Sequence, residues 1–243
     1  MKLRVINSGS KGNAYILDAG DEALLIECGV RFSDIKGAFN FDFTKLLGCI
    51  VTHEHGDHAK SVSDLMSFGI DVHATKGTHT ALKSIGHHRA KTFEYKEFFR
   101  LGSFRIMSFD VLHDAAEPCG FLIYHPECGN LLFITDLIFC KYTFPDLNNI
   151  IIEANYADEI AKRKLNDMEF LRNRIIKNHM SLDTCISTLQ ANDLSKVNNI
   201  VLIHLSDSNS DELMFKDRVK EATGKTVTVA DAGITIDFNK TPF

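Results

Sequence analysis

The densest chemistry in this chain lies in His53-Glu54-His55-Gly56-Asp57-His58, which gathers three imidazoles and the Asp57 carboxylate within six residues. Neutral imidazole and carboxylate are preferred ligands of zinc and its first-row neighbours. In an extended turn, residues two apart point the same way, so His53 and His55 can share one ion. Asp57 and His58 then fall on the opening turn of a helix and can face a second. Gly56 permits the tight path between the pairs. The competing account is a histidine-rich loop with no ligand role, and the position of the hexapeptide between a buried strand and a helix argues against it.

Two ions need more ligands, and these are expected at the ends of other strands. His113 follows the strand-like segment Ser103–Leu112, Asp136 follows Leu131–Thr135, and His204 follows Asn199–Ile203. Each stands where an apolar run gives way to a polar loop, as a site built along one sheet edge requires.

The elements that must carry these residues are legible from periodicity and turn residues. Lys2–Ile6, Asn13–Asp18 and Ala23–Glu27 read as strands separated by glycine turns, and Leu46–Thr52 as a buried strand. A helix is predicted from Ala59 to Phe68, a strand over Asp71–Ala74 and a helix over Thr78–Ile85. Strands follow at Gly120–Tyr124 and Ile150–Glu153, then a polar helical stretch to about Lys177. A helix from Leu182 to about Ala191 has Ser181 as its N-cap. Asp211–Ala222 reads as a helix, and Thr226–Val229 and Ile234–Phe238 as closing strands. Two strand-rich blocks, each followed by helices, predict two sheets packed face to face with helices outside, in one domain spanning 1–243.

Composition bounds the reading. The chain has 243 residues, 44% hydrophobic and 24% charged, an ordinary profile for a soluble protein. Nothing at the N-terminus reads as a signal peptide and no apolar run is long enough to cross a bilayer, so the expected compartment is the cytoplasm, with no membrane partner. The six cysteines contain no Cys-x-x-Cys pair and are expected to be reduced core residues. A net charge of −5 offers no overall basic stripe, although bound divalent cations would add local positive charge.

The pattern His-x-His-x-Asp-His, followed by a histidine, an aspartate and a histidine at strand ends, resembles the metallo-β-lactamase superfamily across nearly the whole chain. The resemblance implies an α/β, αββα four-layer sandwich. It implies a first ion on His53, His55 and His113, a second on Asp57, His58 and His204, and Asp136 bridging the two. Zinc is the first expectation, with manganese or iron as alternatives. Ser8-Gly9-Ser10-Lys11-Gly12-Asn13, the stretch from His113 to Phe121, and His204-Leu205-Ser206 with Asn209 are similar to the YycJ/WalJ-like branch, whose relatives include ribonuclease Z.

Two further strings resemble ribonuclease Z. Glu153-Ala154 ends a strand and His179-Met180-Ser181 begins a helix, which implies a carboxylate beside a histidine that protonates the leaving oxygen. Asp57, His179 and Glu153 are therefore the expected catalytic residues. The implied activity is a dinuclear metal-dependent phosphodiester hydrolase in which a hydroxide between the ions attacks phosphorus, with single-stranded nucleic acid as substrate. A cyclic mononucleotide phosphodiesterase is the alternative, a thioester or lactam hydrolase the third reading, and a non-catalytic binding protein the fourth. For His179 the competing role is helix capping, and for Glu153 a solvated strand end. No long Gly/Pro-rich insertion matches the arm with which ribonuclease Z holds transfer RNA. Basic groups at His87–Lys91, Lys162–Lys164, Arg172, Arg174 and Lys177 are solvated faces or a groove for substrate phosphate. The family leaves a homodimer open.

Overall fold

The computed structural model describes residues 1–164 and 176–241. Its first half contains β1 (Lys2–Asn7), β2 (Ala14–Asp18), β3 (Ala23–Ile26), α1 (Phe32–Ala38), β4 (Leu46–Ile50), α2 (Gly56–Ala59), α3 (Val62–Phe68), β5 (Val72–Ala74), α4 (Lys76–Ala81) and β6 (Ala90–Thr92). The second contains β7 (Phe98–Leu101), β8 (Phe104–Asp110), β9 (Cys119–His125), β10 (Gly129–Ile134), β11 (Leu147–Glu153), α5 (Asp158–Lys164), α6 (Leu182–Gln190), β12 (Asn199–Ile203), α7 (Glu212–Thr223), β13 (Thr226–Val229) and β14 (Thr235–Asp237).

The strands form two seven-stranded sheets, ordered β14-β1-β2-β3-β4-β5-β6 and β13-β12-β11-β10-β9-β8-β7. Alternation along the strands divides their side chains between two kinds of core. Tyr15, Leu17, Leu24 and Ile26 of the first sheet meet Phe121, Phe133, Ile151 and Val201 of the second in a core between the sheets. Tyr15 packs edge-on against Phe133, with ring centroids 5.6 Å apart. The opposite faces bury Ile16, Leu25 and Cys49 with Ile35 and Leu65 of α1 and α3. On the far side, Ile150, Ile152 and Leu202 are buried with Leu182 and Leu189 of α6 and Phe215 of α7. Helix, sheet, sheet, helix is the four-layer order expected.

Strand direction then places the chemistry. β8 and β10 are each antiparallel to β9, while β10, β11 and β12 are mutually parallel. The C-terminal ends of β8, β10, β11 and β12 therefore share one edge of the second sheet. Ligands in α/β folds are usually held outside such strand ends.

The local differences from expectation have identifiable causes. The helix predicted over Ala59–Phe68 is split into α2 and α3, because Ser61 N donates to Cys28 O at 3.0 Å and Ser61 Oγ to Val30 O at 2.6 Å. The helix predicted at Thr78–Ile85 starts earlier, at Lys76, with Thr75 as its cap. Ser181 caps α6 as expected, accepting from Thr184 N at 3.1 Å. The polar helical stretch is seen as α5, and its continuation over 165–175 lies outside the described residues. All six cysteines are free thiols. No helix among the described residues is long and apolar enough to cross a membrane.

Candidate metal centre

The buried strand β4 delivers Val51 and Thr52 to the start of the hexapeptide, and the short helix α2 opens at Gly56. Two neighbouring loops clamp this turn. Asn13 N donates to Asp57 O at 2.7 Å and Cys28 N to His58 O at 2.8 Å. Gly29 completes the approach: a Cβ placed there would lie 1.7 Å from Asp57 O. Gly29→Ala must therefore push the turn away, and an expected loss of about 1–3 kcal/mol should appear in urea denaturation. Denaturation at the wild-type midpoint would show that the loop yields instead.

Donor atoms converge from these elements in two groups that share one residue. His53, His55, His113 and Asp136 form one, and Asp57, His58, Asp136 and His204 the other, with the ligand atoms in each within 4.8 Å of one another. Asp136 Oδ2 lies 3.8 Å from His53 Nε2 and 3.7 Å from His113 Nε2. Its Oδ1 lies 3.4 Å from His58 Nε2 and 3.6 Å from His204 Nε2. His55 Nδ1 and His113 Nε2 face each other at 3.1 Å. Asp57 Oδ2 is 3.2 Å from His204 Nε2 and 3.5 Å from His58 Nε2. Asp136 and His204 each follow a strand with φ of 50° and 55°, a left-handed conformation uncommon outside glycine and enriched at functional sites.

The chemistry of this donor set fits divalent metal ions. His53 Nε2 is buried without a hydrogen-bond partner, a costly condition that a cation beside it would relieve. Burial pushes the His53 imidazole well below its usual range, helped by the charge of His58. Burial likewise takes His113 down to about 4, against the pull of Asp136. Both are thus held in the neutral form that ligation requires. The carboxylates go the other way. Burial opposes charge on Asp57, but hydrogen bonds from His204 and His58 hold it well below the usual carboxylate range. Burial also opposes charge on Asp136, and His204 and His58 outweigh it.

The second nitrogens of His53, His113 and His204 are also held, as is usual behind a metal ligand. Thr52 Oγ1 lies 2.9 Å from His53 Nδ1, and His113 Nδ1 donates to Asn178 O at 3.1 Å. Buried Glu27 accepts from Thr52 N at 3.2 Å and lies 3.6 Å from His58 Nδ1. Asn155 Nδ2 lies 3.0 Å from His204 Nδ1, whereas Asn13 Nδ2 lies 3.2 Å from His58 Nε2, the nitrogen that faces Asp136. Glu27, Thr52, Asn13 and Asn155 were not singled out from the sequence as site residues. Glu27 left one trace, an acid closing the apolar run Ala23–Ile26, and Asn13 another, as the last residue of the Ser8–Asn13 string.

A third group, Asp136, Glu153, His179 and His204, adjoins the second. Glu153 is fully buried at the end of β11, which excludes the solvated strand end. Its Oε1 accepts from His179 Nδ1 at 2.7 Å, and its Oε2 from Leu137 N and Met180 N at 3.2 Å each. Burial disfavours a charged His179, but the neighbouring Glu153 carboxylate outweighs it and lifts the imidazole to about 9. Capping of α6 falls to Ser181, so His179 is not a capping residue. Its ring lies nearly parallel to His204, centroids 5.2 Å apart.

The other histidines stand away from these groups. His73 stacks on Phe99, His79 bonds Ser84, His125 pairs with Glu22, and His87 stacks on His88. In the basic loop, Arg89 pairs with Asp71 at 2.8 Å. Lys162 and Arg163 are exposed on α5, and Arg172 and Arg174 lie outside the described residues.

Residues 24–205 match the family described as Beta-lactamase superfamily domain. Exodeoxyribonuclease WalJ of Streptococcus pneumoniae serotype 2 is 25% identical, over 98% of this chain and 92% of that protein. Exodeoxyribonuclease YycJ of Bacillus anthracis is 27% identical, over 90% of this chain and 89% of its own length. The metallo-β-lactamase fold protein YhfI from Bacillus subtilis superimposes with a TM-score of 0.72 at 17% identity, covering 97% of this chain and 99% of YhfI.

Proposed function

We propose that this chain, which belongs to the β-lactamase superfamily domain family, is a dinuclear metal-dependent phosphodiester hydrolase acting on single-stranded nucleic acid. His53, His55 and His113 would hold the first ion and Asp57, His58 and His204 the second, with Asp136 contributing to both donor groups. The imidazole-rich set favours zinc, while manganese or iron suits mixed nitrogen and oxygen ligands. When bound, the two ions acidify a water and neutralise charge on phosphate oxygens.

The observation that carries the reading is the pair of half-buried His179 and buried Glu153 beside Asp136. Cleavage of an alkyl phosphodiester leaves an alkoxide, which departs readily only when protonated. His179 holds that proton. Glu153 keeps Nδ1 committed at 2.7 Å, so Nε2 is the nitrogen that faces the reaction. Hydrolysis of a thioester expels a thiolate, which departs without a proton and leaves this pair without a comparable task. The two relatives named exodeoxyribonucleases lend the same support. Cyclic mononucleotide hydrolysis is the second reading, favoured by the net charge of −5 and the absence of an inserted arm.

The test is hydrolysis of bis(p-nitrophenyl) phosphate by protein loaded with zinc or manganese, beside Asp57→Ala. Turnover is expected with at least one metal and about 10²-fold less in the variant, equivalent to roughly 3 kcal/mol. No turnover by protein shown to hold two ions would sink the phosphodiesterase reading. Single-stranded oligonucleotides compared with cyclic mononucleotides then separate the two substrate classes.

A further inference from the structure

An open cleft of about 260 Å³ is lined among others by Asn7, Lys11, Arg31, Asp34 and Lys60. Its three cations come from three segments, each fastened to the turn that carries Asp57 and His58. Lys11 lies two residues before Asn13, whose N donates to Asp57 O at 2.7 Å. Arg31 lies three residues after Cys28, whose N donates to His58 O at 2.8 Å. Lys60 ends α2, two residues beyond His58.

All three side chains are exposed. Lys60 makes no ion pair among the described residues, while Lys11 reaches Asp207 at 2.7 Å and Arg31 reaches Asp34 at 3.1 Å. Those pairs are solvated, with side-chain exposures of 82% and 69% for the first and 73% and 38% for the second. Such surface pairs contribute little, so a phosphate can take the place of either carboxylate. Lys60 also lines a second cleft with Lys83 and His87, so basic groups continue from one cleft into the next. This grouping stands out in a chain of net charge −5.

We infer that this cleft binds the phosphate backbone next to the scissile bond, with Lys11, Arg31 and Lys60 as positioning residues for a polynucleotide. The inference rests on the phosphodiester reading and narrows it. A cyclic mononucleotide has one phosphate, which would be taken up at the metal centre, and leaves this cleft unused. A strand of nucleic acid brings further phosphates to it.

The experiment compares metal-loaded wild type with Lys11→Gln/Arg31→Gln/Lys60→Gln. Binding of a fluorescent, phosphorothioate-linked single-stranded oligonucleotide is followed by anisotropy across a salt series, beside bis(p-nitrophenyl) phosphate turnover. The triple variant is expected to bind at least tenfold more weakly. Its salt slope should fall by about 2, from roughly 0.7 per lost phosphate contact on a single strand. Turnover of the small substrate should stay within about twofold, as expected when uniform binding rather than chemistry is lost. Lys60→Gln alone, at an exposed position with no ion pair among the described residues, should lose about 0.7 of the slope without disturbing the fold.

Equal affinity and slope in wild type and triple variant overturn the inference. So does a wild type that hydrolyses bis(p-nitrophenyl) phosphate but fails to bind the oligonucleotide, and the phosphodiesterase reading survives that result. Weakened oligonucleotide binding in the variant, with no turnover by either protein, supports the cleft and removes the hydrolase reading instead.

Discussion

Replacing Asp136 with alanine is expected to lower kcat/KM by on the order of 10³-fold, equivalent to about 4 kcal/mol of transition-state stabilisation. The residue is the one member common to the donor groups, and its two oxygens divide between them. Oδ2 faces His53 and His113, and Oδ1 faces His58 and His204. It is 2% exposed, so water cannot substitute freely for the lost carboxylate. Elemental analysis should find two ions per chain in the wild type and one or fewer in Asp136→Ala. Asp136→Asn, which keeps the volume and removes the charge, should behave in the same way. Ions that bind only the folded chain stabilise it, by about 2.7 kcal/mol at a hundredfold excess over Kd. A chelator should therefore lower the melting temperature of the wild type, and much less that of either variant. Two retained ions and wild-type turnover in Asp136→Ala would show that the residue does not hold the centre together.

The seven proposed ligands were legible because their signal is local. Four of them fall within six residues, and the remaining three each stand just past an apolar run. The topology explains why that rule works. β8, β10 and β12 point the same way, so residues following each of them arrive at one edge. The boundaries were less exact: β8 ends at Asp110, so His113 sits in the loop rather than directly on the strand end.

What the sequence did not reveal depends on contacts between distant segments. Glu27 becomes a partner of His58 only because β3 lies beside β4, and Thr52 N turns toward it. Asn13 reaches His58 across a separation of 45 residues, and Asn155 reaches His204 across 49. No spacing pattern encodes such pairs. The edge strands β6 and β7 were missed for a different reason. They are three and four residues long, and the sequences Ala-Lys-Thr and Phe-Phe-Arg-Leu show no apolar–polar alternation. Helix α1 was missed likewise, since Ile35 is its one buried residue.

His179→Ala is expected to slow oligonucleotide cleavage by about 10²–10⁴-fold, the usual range for a lost general acid. Hydrolysis of bis(p-nitrophenyl) phosphate should fall far less, because p-nitrophenolate departs without being protonated. The contrast follows from the Glu153–His179 pair, in which the carboxylate counters the burial that would otherwise discharge the imidazole. The protonated form is the competent one, so the rate falls as pH rises through the His179 pKa. That pKa is about 9 in the metal-free chain, and nearby dications would push it lower. Glu153→Gln removes the charge that raises it, so the alkaline limb of the oligonucleotide profile should move to lower pH. A purely structural role for Glu153 would lower the whole profile without displacing that limb. Equal losses on both substrates in His179→Ala would mean that His179 positions the substrate and that the leaving oxygen obtains its proton elsewhere.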